Sequence, residues 1–247
     1  MRIKILAVAG LATVLLTACG GGGDDSGAGK AASSGSSSSS SSGSASPAGN
    51  GEAAKSGEQV AGDAADALVN AGAVHLTGSG TSGGATQQVD LQIQGNDAAG
   101  SITLNGLPLQ FIRTGGKNYA KASAAFWQQE GADAARAQRL DGVWVSVPSN
   151  LGNTFGQFAL DSLADTLRKP TDATIDAQVT TDTVDGTAVV VVSQSDGSTL
   201  AVAATGTPFP LREVDTGAEA GTLTYSGFGS RQTIAAPPSP LDLSQVA

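Results

Sequence analysis

The sequence predicts an α+β fold: a single curled antiparallel β-sheet, a half-barrel of about eleven strands, with a few helices on its concave face. Three observations predict it. Period-two alternation of apolar and polar residues begins after Gly72 and recurs as far as Ser226. Turn dipeptides of hairpin type, Asn105-Gly106, Gly115-Gly116, Asp185-Gly186 and Asp196-Gly197, separate the runs. Helical spacing is confined to the start of this region and its middle. Such short links join antiparallel neighbours, because a parallel crossover needs about a dozen residues.

The chain opens differently. Residues 1–18 carry Arg2 and Lys4, then an apolar run from Ile5 to Leu16, then Thr17 and Ala18. A basic start, a short apolar core and small residues before a cut describe a secretory signal. The run is too short to cross ~30 Å of hydrocarbon. Leu16-Thr17-Ala18-Cys19 resembles the lipobox of bacterial lipoproteins, which implies cleavage before Cys19 and acylation of its thiol, with the new N-terminal amine available for acylation too. Two acyl chains give stable anchoring where one does not, so the expected location is the extracytoplasmic face of the cell membrane. The competing reading of Cys19 is an unmodified signal-region cysteine. As the single cysteine of the chain it has no partner for an internal disulfide.

Loss of Arg2 and Lys4 with the signal takes the formal net charge from −9 to −11. That argues against nucleic acid and acidic membrane surfaces as partners, and leaves neutral or apolar ligands open; a monomer is expected. Residues 19–57 read as the lipidated cysteine followed by a linker: Gly20 to Asp25, a serine run from Ser36 to Ser42, and Gly, Ala, Pro and Asn without periodicity. Such a stretch buries too little surface to offset its ordering entropy, and as a coil it spans roughly 30–40 Å. A site for O-glycosylation fits the same composition.

The folded domain is placed at residues 58–247. Val60, Ala64, Ala67 and Leu68 share one side of a helix over Glu58–Asn70. Strands follow at Val74–Gly78 and Gln87–Gln94, where Val89, Leu91 and Ile93 face one way and Gln88, Asp90 and Gln92 the other. Ser101–Leu104, Leu107–Arg113 and Asn118–Lys121 continue the sheet, with Pro108 weakening its strand or placing it at an edge. Ser123 caps a short helix to Glu130, a further turn or two spans Ala132–Leu140, and Val143–Val147 is a strand ended by Pro148. Thr154–Lys169 reads as the best helix of the chain, with Phe155, Phe158, Ala159, Leu163 and Leu167 on one face and Pro170 as its stop. Strands return at Thr174–Val184, Ala188–Val192, Thr199–Ala203, Phe209–Val214 and Gly221–Ser226. The valine run from Val189 to Val192 is apolar on both faces and so belongs in the covered middle of the sheet. The segment Pro237–Leu243 is read as a rigid strap across the sheet.

A long antiparallel sheet twists and curls, and its concave face needs an apolar partner. With two Trp, two Tyr and six Phe in 247 residues, none before Phe111, that face is short of large side chains, which favours a pocket. The alternative is that Phe126, Trp127, Phe155, Phe158, Leu163 and Leu167 simply fill the core.

Gly116–Lys121 with the helix carrying Trp127, then Gly142–Pro148, the amphipathic helix, Gly206–Arg212, and an alternating strand before a proline-rich end together resemble the mycobacterial LppX/LprG-type lipoproteins over about residues 60–245. The resemblance implies a sheet related to the lipoprotein carriers LolA and LolB, helices enclosing an apolar cavity, and binding or carriage of an acylated lipid or glycolipid in the cell envelope. It implies a cavity lining drawn from Val89, Leu91, Ile93, Leu104, Phe111, Trp127, Trp144, Phe155, Phe158, Leu163 and Leu167. No covalent chemistry and no cofactor is needed; the helix Thr154–Lys169 is the expected gate, with Gly152 and Gly156 near its hinge. Arg113, Lys117, Lys121 and Arg212 are either a phosphate-binding rim or a solvated surface.

An enzyme is not expected. His75 is the single histidine, and the chain has no Gly-x-Ser-x-Gly elbow or His/Cys metal spacing. Asp161 and Asp165, four apart, admit an acid/base reading but suit a solvated helix face. Asp182 and Asp185 lack the remaining ligands of a calcium loop. The main rival to a carrier is a tethered protein-binding or structural module with a solid interior.

Overall fold

The computed structural model describes residues 49–82, 84–147, 157–217 and 220–243. The described chain begins ahead of the first predicted helix. Asn50 donates from Nδ2 to the Ala203 carbonyl at 2.8 Å, a 3-10 turn spans Glu52–Ala54, and Lys55 bridges Glu52 (2.8 Å) and Asp63 (2.6 Å). Helix α1 (Gly57–Ala71) follows, closed at its start by a reciprocal capping box between Ser56 and Gln59 and at its end by Gly72 at φ 69°. Its buried side is Val60, Ala61, Ala64, Ala65 and Leu68. These small residues let the helix lie close on its neighbours. A Cβ at Gly57 would stand 2.1 Å from the Asp176 carbonyl.

Strands β1 (Val74–Ser82), β2 (Ala85–Gln94), β3 (Asp97–Leu104), β4 (Leu107–Thr114) and β5 (Lys117–Ala122) form a meander. Two of its turns, Asn105-Gly106 and Gly115-Gly116, hold both central residues at positive φ, the geometry whose twist matches that of the flanking strands. Helices α2 (Ala124–Gln129) and α3 (Ala134–Leu140) are capped by Ser123 and Asp133. After β6 (Val145–Val147) comes α4 (Leu160–Arg168), within the predicted helix Thr154–Lys169, whose first three residues lie outside the described residues; Phe158 is buried ahead of it, and Ala159 is extended. The second meander is β7 (Ile175–Val184), β8 (Thr187–Gln194), β9 (Thr199–Ala203), β10 (Pro210–Asp215) and β11 (Gly221–Ser226), and β12 (Leu241–Asp242) ends the described chain.

The twelve strands among the described residues make one sheet, in the order β12-β6-β5-β4-β3-β2-β1-β11-β10-β9-β8-β7. The two meanders are joined by the antiparallel pairing of β1 with β11, Leu76 opposite Tyr225. Helix α1 packs on α4 and over β7, β8, β9 and β10, while α2 packs on α3 and β4. The apolar core lies between these helices and one face of the sheet.

The expected half-barrel is overturned. The sheet is open and mixed: its order runs from β12 to β7 without closing, and β12 lies parallel to β6, Leu241 beside Val145. At the β7 edge, Asp176–Gln178 and Thr180–Thr183 are exposed, so no concave wall wraps that strand. The parallel pair has a simple cause. The chain after β11 returns along β2, held by Gln92 Nε2 to the Ser230 carbonyl (2.9 Å) and Gln94 Nε2 to the Gln232 carbonyl (2.7 Å), and continues into the predicted strap Pro237–Leu243, which reaches β6 running in the same direction. Tyr119 faces away from the core in the register His75, Gln92, Ala99, Ile112, Tyr119, yet it is buried, as is Pro237 of the strap.

Candidate functional site

Alternation along β2 turns Val89, Leu91 and Ile93 toward the helices. Registers carry that face across the sheet: Val89 lies opposite Ile102, Ile102 opposite Leu109, and Leu91 opposite Gly100, which lies opposite Phe111. Gly100 is required there, since a Cβ at its φ of 154° would stand 2.0 Å from the Asp90 carbonyl. From the helix side come Trp127, Phe158, Leu163 and Leu167. With Leu104 these residues fall in one contiguous buried cluster. Phe111 and Phe158 meet with ring centroids 6.0 Å apart and tilted by 56°, a geometry that aromatic quadrupoles favour. Phe126 meets Trp127 edge-on at 5.3 Å.

Nine of the eleven residues named for the lining are therefore together. Trp144 is half-buried and stands outside the cluster, just ahead of β6. Phe155 lies outside the described residues, as do Cys19 of the anchor and Gly152 and Gly156 of the expected hinge. The four cations do not converge. Arg212 is bound to Asp185 at 2.6 Å. Lys121 shares its register row, through Thr224, Thr77, Asp90, Ser101 and Gln110, but six strands away, roughly 29 Å at the usual strand spacing. Arg113 sits on the helix-side face with Ala98 and Asn118, and Lys117 is exposed.

The opposite face of the sheet is polar. A depression of about 480 Å³ crosses β1, β2, β3 and β11 there, lined by Thr77, Ser79, Gln88, Asp90, Ser101 and Thr224 among others. His75 and Asp90 pair on this face at 2.8 Å. Asp165 faces Arg168 at 3.4 Å, and Asp182 accepts from its neighbour Thr183. Among the described residues no group of three or more His, Cys, Asp or Glu is placed to hold a metal ion, and none forms a catalytic constellation.

Two buried acids escaped sequence reading, Glu52, paired with Lys55, and Glu213. Glu213 is 1% exposed on the core side of β10, between Leu200 and Leu223. Tyr225 donates to its Oε2 at 2.9 Å, and Oε1 is buried without a partner among the described residues. Burial, and then the Asp215 carboxylate, push its pKa up to about 8. Burial and Glu213 likewise hold the Tyr225 hydroxyl well above its usual pKa. The signal that would have found Glu213 is parity. Leu211 and Arg212–Val214 leave the inward set ambiguous, and the register shift between Pro210 and Arg212 decides it.

No protein-family model matches this chain, and no curated protein matches it. Among solved structures it is similar to LprF from Mycobacterium bovis, with a TM-score of 0.50 and 20% identity over 73% of this chain and 96% of that one. The chain has the LprF fold. The lipoprotein LppX of Mycobacterium tuberculosis is also similar, with a TM-score of 0.47 and 18% identity over 72% of this chain and 98% of that one. The LprF fold accounts for the expected mix of a large sheet and few helices. The resemblance read from Gly116–Lys121 onward thus stands at the level of architecture.

Proposed function

We propose that this protein is a lipid-anchored envelope protein that binds or carries an acylated lipid, its acyl chains lodged between the sheet and the helices. The observation that carries the reading is the LprF fold combined with an apolar layer in which strand residues (Val89, Leu91, Ile93, Phe111) face helix-side residues (Phe158, Leu163, Leu167). The signal and Leu16-Thr17-Ala18-Cys19 support anchoring through Cys19, and residues 20–48 suit a tether.

Binding of this kind needs no covalent step. Each CH₂ withdrawn from water contributes about 0.8 kcal/mol, so a single long acyl chain supplies enough to offset ordering of a mobile wall. Helix α4 is the proposed mobile element. It is nine residues long and its N-cap, Ala159, offers no side-chain hydrogen bond, so its start is held by packing and by the Leu160 N–H, which donates to the Gly95 carbonyl at 2.9 Å.

The test is native mass spectrometry of residues 49–247, before and after organic extraction. A discrete added mass that extraction removes supports the carrier and identifies the lipid class. An apo mass that persists after incubation with envelope lipids sinks it and favours a protein-binding module with a solid interior. The contiguity of the buried cluster is the observation that speaks for that second reading.

A further inference from the structure

The carrier reading leaves Glu213 without a task. A strand residue flanked by Leu200 and Leu223 and covered from solvent is a place for an apolar side chain. The carboxyl is nevertheless held in a defined position by the Tyr225 hydroxyl, which donates to Oε2 at 2.9 Å. Oε1 is buried with no partner among the described residues, and a buried polar atom in that state calls for an explanation. Burial and the neighbouring Asp215 keep the carboxyl protonated at neutral pH. Because Oε2 already serves as acceptor, the proton belongs on Oε1. The site therefore presents an O–H donor within an apolar layer, and that donor requires an acceptor.

An acyl lipid brings one acceptor deep into such a layer, the carbonyl oxygen of its ester. We propose that Glu213, positioned by Tyr225, is a subsite that donates a hydrogen bond from Oε1 to an acyl ester carbonyl of the bound lipid. The inference rests on the lipid-binding reading above and specifies which part of the lipid is recognised: the ester linkage, in addition to chain length. Tyr225 is a positioning residue in this arrangement. Its hydroxyl fixes which carboxyl oxygen is left to face the ligand.

The experiment compares two probes with the purified, delipidated protein: dipalmitoylphosphatidylcholine and its dihexadecyl ether analogue, which has the same chains and head group but no carbonyl. The wild-type protein is expected to bind the ester about tenfold more tightly, the value of one buried hydrogen bond. Glu213→Gln, whose amide N–H takes the place of the donor, keeps the preference. Glu213→Leu loses it and binds the two probes equally. Equal affinity of the wild type for the two probes, or an ester preference that survives Glu213→Leu, overturns the subsite and leaves the carrier reading standing. Binding of neither probe overturns both.

Discussion

Glu213 gives the stability of this protein a pH dependence of unusual sign. Most carboxylates with native partners have depressed pKa values, and proteins lose their contribution on acidification. Here the native pKa is raised from 4.5 to about 8. Between those values the unfolded chain has released a proton that the native state keeps, so stability falls as pH rises, by up to about 1.4 kcal/mol per pH unit. Below pH 4.5 the contribution is fully present, and above pH 8 the loss is complete. Glu213→Gln keeps the shape without the proton. Its urea midpoints should therefore decline less than those of the wild type from pH 5 to pH 8, and parallel profiles would show that the carboxyl is not neutral in the fold. Glu213 also marks the limit of residue-level reading. Its own strand was legible from Phe209–Val214, but a bulge set which side chain turned inward.

At the scale of elements, local chemistry decided most of what was foreseen. The capping box of Ser56 and Gln59, and the paired left-handed residues at Asn105-Gly106 and Asp185-Gly186, are interactions within four residues of chain. They place α1 and the hairpins close to where the pattern put them. The strap is the contrary case. Its two-residue strand has no alternation to read, and it pairs with β6 from the far end of the chain. Leu241 N–H donates to the Trp144 carbonyl at 2.9 Å and Arg136 Nη2 to the Leu243 carbonyl at 3.0 Å. Ending the chain at Ala236 should cost roughly 2 kcal/mol, at about 1 kcal/mol per lost hydrogen bond, and should speed hydrogen exchange at Val145 and Val147. Unchanged exchange there would remove β12 from any stabilising role.

For the whole molecule, the pairing of β1 with β11 makes the two meanders one sheet, and α1 together with the helices between the meanders covers it from one side. The lipid reading adds a second whole-molecule requirement, attachment through Cys19. Cys19→Ser in the full chain should shift the protein out of the membrane fraction and abolish metabolic labelling with a fatty acid; labelling that persists would place the acyl group elsewhere. Sequence alone determined the turns and the existence of most strands, because each depends on neighbours a few residues apart. Tertiary structure decided that β1 meets β11, that β12 runs parallel, that the four cations stand apart and that an acid lies in the core. Those outcomes depend on register between segments as far apart as His75 and Ser226. A period of two names the two faces of a strand, but only its partners settle which face is buried.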